Sequence, residues 1–187
     1  MMVRRPRARL AAVLAATMLA IAPAIGACGT DKPAADGPAA SPSSAQGAKG
    51  SPVELLDGGP AAFRRHLATL KGRPVVVNQW ASWCGPCKFE FPFFQRLAQK
   101  YRGRVAFVGV DSQDDRESAL RFLEELPTPY PHFFDRDVSI AREFRGGLAW
   151  PTTAFYDARG KRTKTHAGAY ATEAKLEEDI RAFALGS

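Results

Sequence analysis

The chain has 187 residues, 45% of them hydrophobic and 24% charged, with 26 basic residues against 19 acidic ones and only three cysteines. Such a composition is ordinary globular material with room for one domain plus extensions. The formal charge of +7 falls to about +3 once four arginines of the N-terminal leader are set aside, so no nucleic-acid partner is indicated.

In chain order, Arg4, Arg5, Arg7 and Arg9 precede an apolar stretch from Leu10 to Ile25 that ends in the small residues Gly26 and Ala27 before Cys28. That is the layout of a secretory signal. Ile25-Gly26-Ala27-Cys28 further resembles a bacterial lipoprotein box, which implies a signal peptide over 1–27, cleavage before Cys28 and a lipid on that cysteine as the anchor to the membrane. A plain signal peptide, or an uncleaved anchor, leaves Cys28 incidental; the stretch is short for a spanning helix. The Arg4-Arg5 pair leaves Sec and twin-arginine export both open. Residues 28–52 are Ala, Gly, Pro and Ser with almost nothing large to bury, which predicts a disordered tether with an r.m.s. span of about 25 to 30 Å.

Residues 53–187 suffice for one core. Val53 to Leu56 reads as a short strand, and Pro60 to Leu70 as a helix with Phe63, Leu67 and Leu70 at helical spacing. Val75 to Trp80 is an apolar run expected in a buried strand beginning at Pro74. Trp83-Cys84-Gly85-Pro86-Cys87 follows at once, opening a helix that runs to Tyr101, bends near Pro92 and turns Phe94, Leu97 and Ala98 inward. Next come a strand over Val105 to Val110, a helix over Asp115 to Leu126 with Leu120, Phe122 and Leu123 apolar, a strand over Pro131 to Phe134, and a short helix capped by Asp137 and ending at Phe144. Thr153 to Tyr156 pairs with Arg162 to His166 as a hairpin turned at Ala158-Arg159-Gly160. Thr172 starts a closing helix with Leu176, Ile180 and Phe183 on one face. The fold class is α/β, a mixed central sheet flanked by helices.

The Cys-x-x-Cys pair carries the chemistry. Two cysteines three positions apart at a helix start can close a small disulfide ring. Cys84, at the N-terminus, has unpaired N–H groups and the helix dipole to stabilise a thiolate and is the expected nucleophile; Cys87, one turn deeper, is the expected resolving thiol. Pro86 fits the first turn, where the N–H it lacks has no partner. Zinc requires four ligands, and neither a second cysteine pair nor the scattered His66, His132 and His166 supply them. A ring so small restricts the unfolded chain little, so stability is a poor reason for it. No metal and no cofactor beyond the dithiol is expected.

Trp83-Cys84-Gly85-Pro86-Cys87 after a buried strand resembles the thioredoxin superfamily. Lys88-Phe89-Glu90-Phe91-Pro92 is similar to the variant in its membrane-anchored TlpA/ResA/DsbE-like members, and Trp150-Pro151-Thr152-Thr153 to its cis-proline segment. The resemblance implies a thioredoxin fold with an N-terminal extension and a central strand/helix insertion between Cys87 and Pro151. It implies a cis bond before Pro151, with Trp150 beside Cys84 offering backbone groups to an extended substrate; the Trp150 ring either narrows that groove or covers the disulfide. Thioredoxin has a buried aspartate where this chain has Asn78, and an amide is no general base. Members of this group place an acid in the insertion, where Asp114 lies nearest by alignment. Asp114 with Glu117 also reads as a capping box for the next helix, and the cap is the favoured reading.

The implied function is extracytoplasmic thiol–disulfide exchange at the bacterial cell membrane: reduction of disulfides in exported proteins or apocytochrome c, fed by an integral-membrane thiol carrier. A disulfide-forming oxidant of exported proteins is the alternative, and Gly85-Pro86 favours reduction. Outside this class stand Cu(I) delivery on two soft thiolates and thiol peroxidase activity.

Overall fold

A computed structural model describes residues 54–187. The predicted leader, Cys28, the tether over 28–52 and Val53 lie outside the described residues. Within them the elements are β1 (Leu55–Leu56), α1 (Gly59–Thr69), β2 (Val75–Trp80), α2 (Gly85–Lys100), β3 (Ala106–Ser112), α3 (Arg116–Glu125), β4 (His132–Asp135), α4 (Ser139–Glu143), β5 (Thr152–Tyr156), β6 (Arg162–Ala167) and α5 (Glu173–Asp179), continued by a π-helical turn over Ile180–Leu185. None of these helices is long and apolar enough to cross a membrane.

Six strands form one sheet in the order β1-β4-β3-β2-β5-β6. Strands β1, β4, β3 and β2 run parallel, and β5 and β6 complete the sheet antiparallel. Every residue of β2 is buried, as expected of a central strand covered on both faces. Its period of two divides the core: Val75 and Val77 pack with Phe63 of α1 and Ile140 of α4, whereas Val76 packs with Phe94 and Leu97 of α2 and Leu176 of α5. Trp80 ends the second row and forms a third cluster with Cys84, Cys87, Phe91, Phe122 and Leu123. The strand therefore delivers the cysteines to the C-terminal end of the sheet, above an aromatic floor.

The thioredoxin-like architecture expected from the sequence is present. The central insertion lies between Cys87 and Pro151, where β4 takes the place between β1 and β3. Two local expectations need correction. Asp137 does not cap α4 in the usual way: it accepts only from the Ser139 N–H, while Asp135, at the end of β4, accepts from Ile140 and Ala141 N–H, both at 2.9 Å. The inward face of α3 is Ala119, Phe122 and Leu123, with Leu120 only half-buried. The closing helix begins as read, with Thr172 accepting from Lys175 N–H.

Candidate functional site: a disulfide at the start of α2

Cys84 is the N-cap of α2, and Pro86 lies in its first turn. The helix runs through Pro92 to Lys100. Cys84 and Cys87 form a disulfide with Cα atoms 5.2 Å apart, and the Cys84 sulfur accepts from the Cys87 N–H at 3.1 Å. The helix start thus places a donor on the outer sulfur, where it stabilises a thiolate once the bond is reduced. Both sulfur residues are shielded, Cys84 at 4% exposure and Cys87 at 1%. Gly85, between them, is exposed, and a Cβ there would meet nothing within 4 Å.

The Trp150–Pro151 peptide is cis, the isomer the resemblance implies. The Trp150 indole lies 5.5 Å from that of Trp83, centroid to centroid, and donates to the Ser112 carbonyl at 3.3 Å. Trp83, 57% exposed, donates to the Gln113 carbonyl at 2.9 Å. Both indoles are therefore moored to the end of β3, and Gln113 adopts a left-handed φ of 62° there. Among the described residues the exposed large apolar side chains are Trp83, Phe89 and Leu148; the first two flank the cysteines in sequence, and Leu148 lies two residues before Trp150.

Asp114 is a correction. The N-cap of α3 is Asp115, which accepts from Ser118 N–H. The Asp114 carboxylate turns the other way and accepts from Ser82 N–H at 2.5 Å, Ser82 Oγ–H at 2.9 Å and Asp115 N–H at 2.8 Å. It holds the segment leading into Trp83 and Cys84 and does not cap the helix.

The acid behind the disulfide is Glu90, which the motif included without a separate role. Cys87 and Glu90 are three residues apart on α2 and both face inward, hence neighbours on one helix face. Glu90 Oε1 accepts from Asn78 Nδ2 at 3.1 Å and Oε2 from Tyr170 N–H at 2.9 Å. Burial pushes its carboxyl up to about 7, against the pull of those two hydrogen bonds. The signal was available: Cys87, Glu90, Phe94 and Leu97 recur at helical spacing, so a charged residue stood on the buried stripe.

His132 is a core residue, not a ligand. Its Nδ1 accepts from Trp80 Nε1–H at 3.0 Å, its Nε2 lies 2.7 Å from Thr128 Oγ1, and burial holds it neutral by lowering its pKa to about 3. It locks the indole that floors the disulfide. A Cβ at Gly109 would fall 1.9 Å from His132 Nδ1, so glycine is required where β3 passes that ring.

Comparison with known proteins gives the same outline. The Redoxin family model matches residues 42–180. The thiol:disulfide interchange protein DsbE of Pseudomonas fluorescens biotype C is 37% identical over 94 residues, 50% of this chain and 51% of the relative. DsbE of Escherichia coli K12 is 32% identical over 117 residues, 62% of this chain and 60% of that protein. The chain thus spans between half and three fifths of the length of these curated relatives. The crystal structure of a secreted Mycobacterium tuberculosis disulfide oxidoreductase homologous to E. coli DsbE superposes with a TM-score of 0.55 at 25% identity, covering 62% of this chain and 86% of that one.

Proposed function

The chain belongs to the Redoxin family, and on that premise we propose that it is an extracytoplasmic thiol–disulfide oxidoreductase that reduces disulfides of exported proteins through Cys84 and Cys87. The observation that carries this reading is the Cys84–Cys87 disulfide at the start of α2 with Glu90 on the inward face behind it. The names of the relatives, thiol:disulfide interchange proteins, support the same chemistry.

In the reduced protein the Cys84 thiolate attacks one sulfur of a substrate disulfide, forming the mixed disulfide and expelling the other sulfur as a thiolate. Cys87 then loses its proton, attacks the Cys84 sulfur, closes the ring and releases the second substrate thiol. Two electrons and the one proton of Cys87 leave the protein, and the substrate ends as one thiolate and one thiol. The inner step needs a base where water is excluded, and Glu90 at about 7 is matched to that task. Asn78 Nδ2 donates to the ionised acid, and its Oδ1, unpartnered here, can receive the O–H of the protonated acid after rotation of the amide. Trp150 and Pro151 form the wall against which an extended substrate would lie.

The lipoprotein-type leader over 1–27, a lipid on Cys28 and a tether over 28–52 belong to the same proposal. They would place the domain on the outer side of the membrane, within reach of an integral-membrane thiol carrier as electron donor. Equilibration of a fragment starting near Ser51 with a thiol/disulfide buffer tests the direction. A potential of about −250 mV or lower supports a reductant, and one of about −120 to −180 mV would make the chain an oxidant of exported proteins.

A further inference from the structure

The edge of the sheet away from the disulfide is basic. Strands β2 and β3 start there together, with Val75 opposite Ala106. Strand β5 ends there, with Tyr156 opposite Val75, and β6 begins at Arg162 opposite Tyr156. The turns that enter β2 and β3 and the turn of the hairpin therefore share one edge. They carry Lys71, Arg73, Arg102, Arg104, Arg159 and Lys161, exposed except for the half-buried Arg73. Gly72 N–H donates to the Ala158 carbonyl at 2.8 Å and Ala106 N–H to the Pro74 carbonyl at 2.9 Å, which ties the turns together. A cleft of about 280 Å³ lies among Arg64, Lys71, Arg73 and Gly160. Among the described residues none of the six cations in these turns forms an ion pair. The carboxylates nearby are engaged: Asp157 accepts from N–H groups of its own turn, Glu143 pairs with Arg64, and Glu177 pairs with Lys100 and Arg181.

The disulfide end has the opposite sign. Past the ends of β1, β3 and β4 stand the exposed Asp57, Asp115, Glu117 and Asp137, with Asp114 and Asp135 behind them. Two of the cations at that end are already paired, Arg116 with Asp57 and Arg121 with Glu117. The domain is thus polar along β2, positive where the strand starts and negative where it delivers the cysteines. Strand β1 runs parallel to β4, β3 and β2, so the chain enters β1 heading from the basic end toward the disulfide end.

We propose that the basic end is a docking face for an anionic phospholipid surface, and that docking turns the disulfide away from the membrane toward exported chains. Such a surface attracts the basic turns and repels the acidic end, so one orientation is favoured. At physiological salt the attraction is screened over about 8 Å. It therefore orients a domain held near the membrane by other means and does not hold a free one, and recharging by a membrane donor requires the domain to lift and turn. The inference rests on the membrane-side location proposed above and is independent of the exchange chemistry.

The test uses the chain from position 28 onward, produced without the leader and carrying Cys28→Ser, so that no lipid contributes. At about 0.05 M salt it should sediment with vesicles of equal parts phosphatidylglycerol and phosphatidylcholine, and not with phosphatidylcholine alone. Lys71→Gln, Arg102→Gln and Lys161→Gln together, one in each turn, should weaken binding about fivefold per residue, about a hundredfold in all. The same loss of charge at the other end, by Lys88→Gln, Arg121→Gln and Arg136→Gln, should weaken it less than about threefold. Trp80, Trp83 and Trp150 lie at the disulfide end, so the fluorescence of vesicle-bound protein should resist quenching by brominated acyl chains and stay open to acrylamide. No binding to anionic vesicles, equal binding to neutral ones, or equal losses in the two triple variants overturns the proposal. So does quenching by the brominated lipid, which would mean that the disulfide end, with Trp83, Phe89 and Leu148, inserts instead. Tighter binding to duplex DNA than to the anionic vesicles would give the face to nucleic acid. The lipid comparison and the quenching use the parent chain, so they decide even if a triple variant fails to fold. A chain that docks this way yet leaves insulin disulfides intact would overturn the proposed exchange and keep this face; one that reduces insulin and ignores the vesicles would do the reverse.

Discussion

Glu90 shows how one residue links burial to chemistry. Its carboxyl holds a proton in the folded protein up to about pH 7, whereas in the unfolded chain it releases that proton near its ordinary value of 4.5. Between those limits the native state binds more protons than the unfolded state, so stability falls as pH rises and levels off above about 7. Glu90→Gln removes this dependence while keeping the acceptor for Tyr170 N–H. We expect denaturant unfolding of the oxidised variant, compared with wild type, to shift in its favour by up to about 3 kcal/mol between about pH 4.5 and pH 8. An identical slope in both proteins would mean that Glu90 is not the group that titrates. In exchange assays the same substitution should slow resolution by about tenfold or more, accumulate the mixed disulfide, and abolish the inflection near neutral pH. Lowered stability with an unaltered pH–rate profile would leave Glu90 as structure alone.

At the scale of elements, the loop from β3 to α3 does what no local pattern announces. A capping box at Asp114 and Glu117 is sound by spacing, yet the cap is Asp115, because Asp114 has a partner 32 positions upstream in Ser82. Likewise Asp135, not Asp137, serves the N-terminus of α4. The two aspartates of the loop therefore separate by experiment. Asp115→Ala should lower the melting temperature and leave exchange kinetics alone. Asp114→Ala removes three hydrogen bonds, should cost about 2 kcal/mol, and should also change Trp83 fluorescence and the rate at which Cys84 reacts with iodoacetamide. Equal effects of the two on Cys84 reactivity would count against the loop as a clamp. α2 was legible in the sequence from its 3.6-residue apolar stripe, β2 from its continuous apolar run, and the hairpin of β5 and β6 from the turn at Ala158-Arg159-Gly160 between two short strand-like runs. The disulfide and its place at a helix start were legible from five consecutive residues. The clamp was not, since its hydrogen bonds join residues far apart in sequence.

At the scale of the whole molecule, the central strand β2 sets where the site can be. It is parallel to β3 and antiparallel to β5, so its C-terminal end meets the end of β3 and the start of β5, and Cys84, the clamp and Pro151 converge there from three separate stretches of chain. Ser82, Cys84, Cys87, Asp114 and Pro151 all lie within residues 54–187, and the proposed leader and tether would add place to that arrangement. That division makes a prediction about Cys28. If a lipid on Cys28 holds the chain to the membrane, Cys28→Ser should release the mature protein into the soluble extracytoplasmic fraction, while its reduction of insulin in vitro stays within about twofold of wild type, because the substitution leaves Cys84, Cys87 and the residues bonded to their loop unchanged. Exchange that requires a membrane-bound donor should fall in cells by far more, since a tether of about two dozen residues confines the domain near that donor, and release dilutes it. A Cys28→Ser protein that fractionates with membranes as before would remove Cys28 as the anchor and return the leader to a plain signal peptide or an uncleaved span.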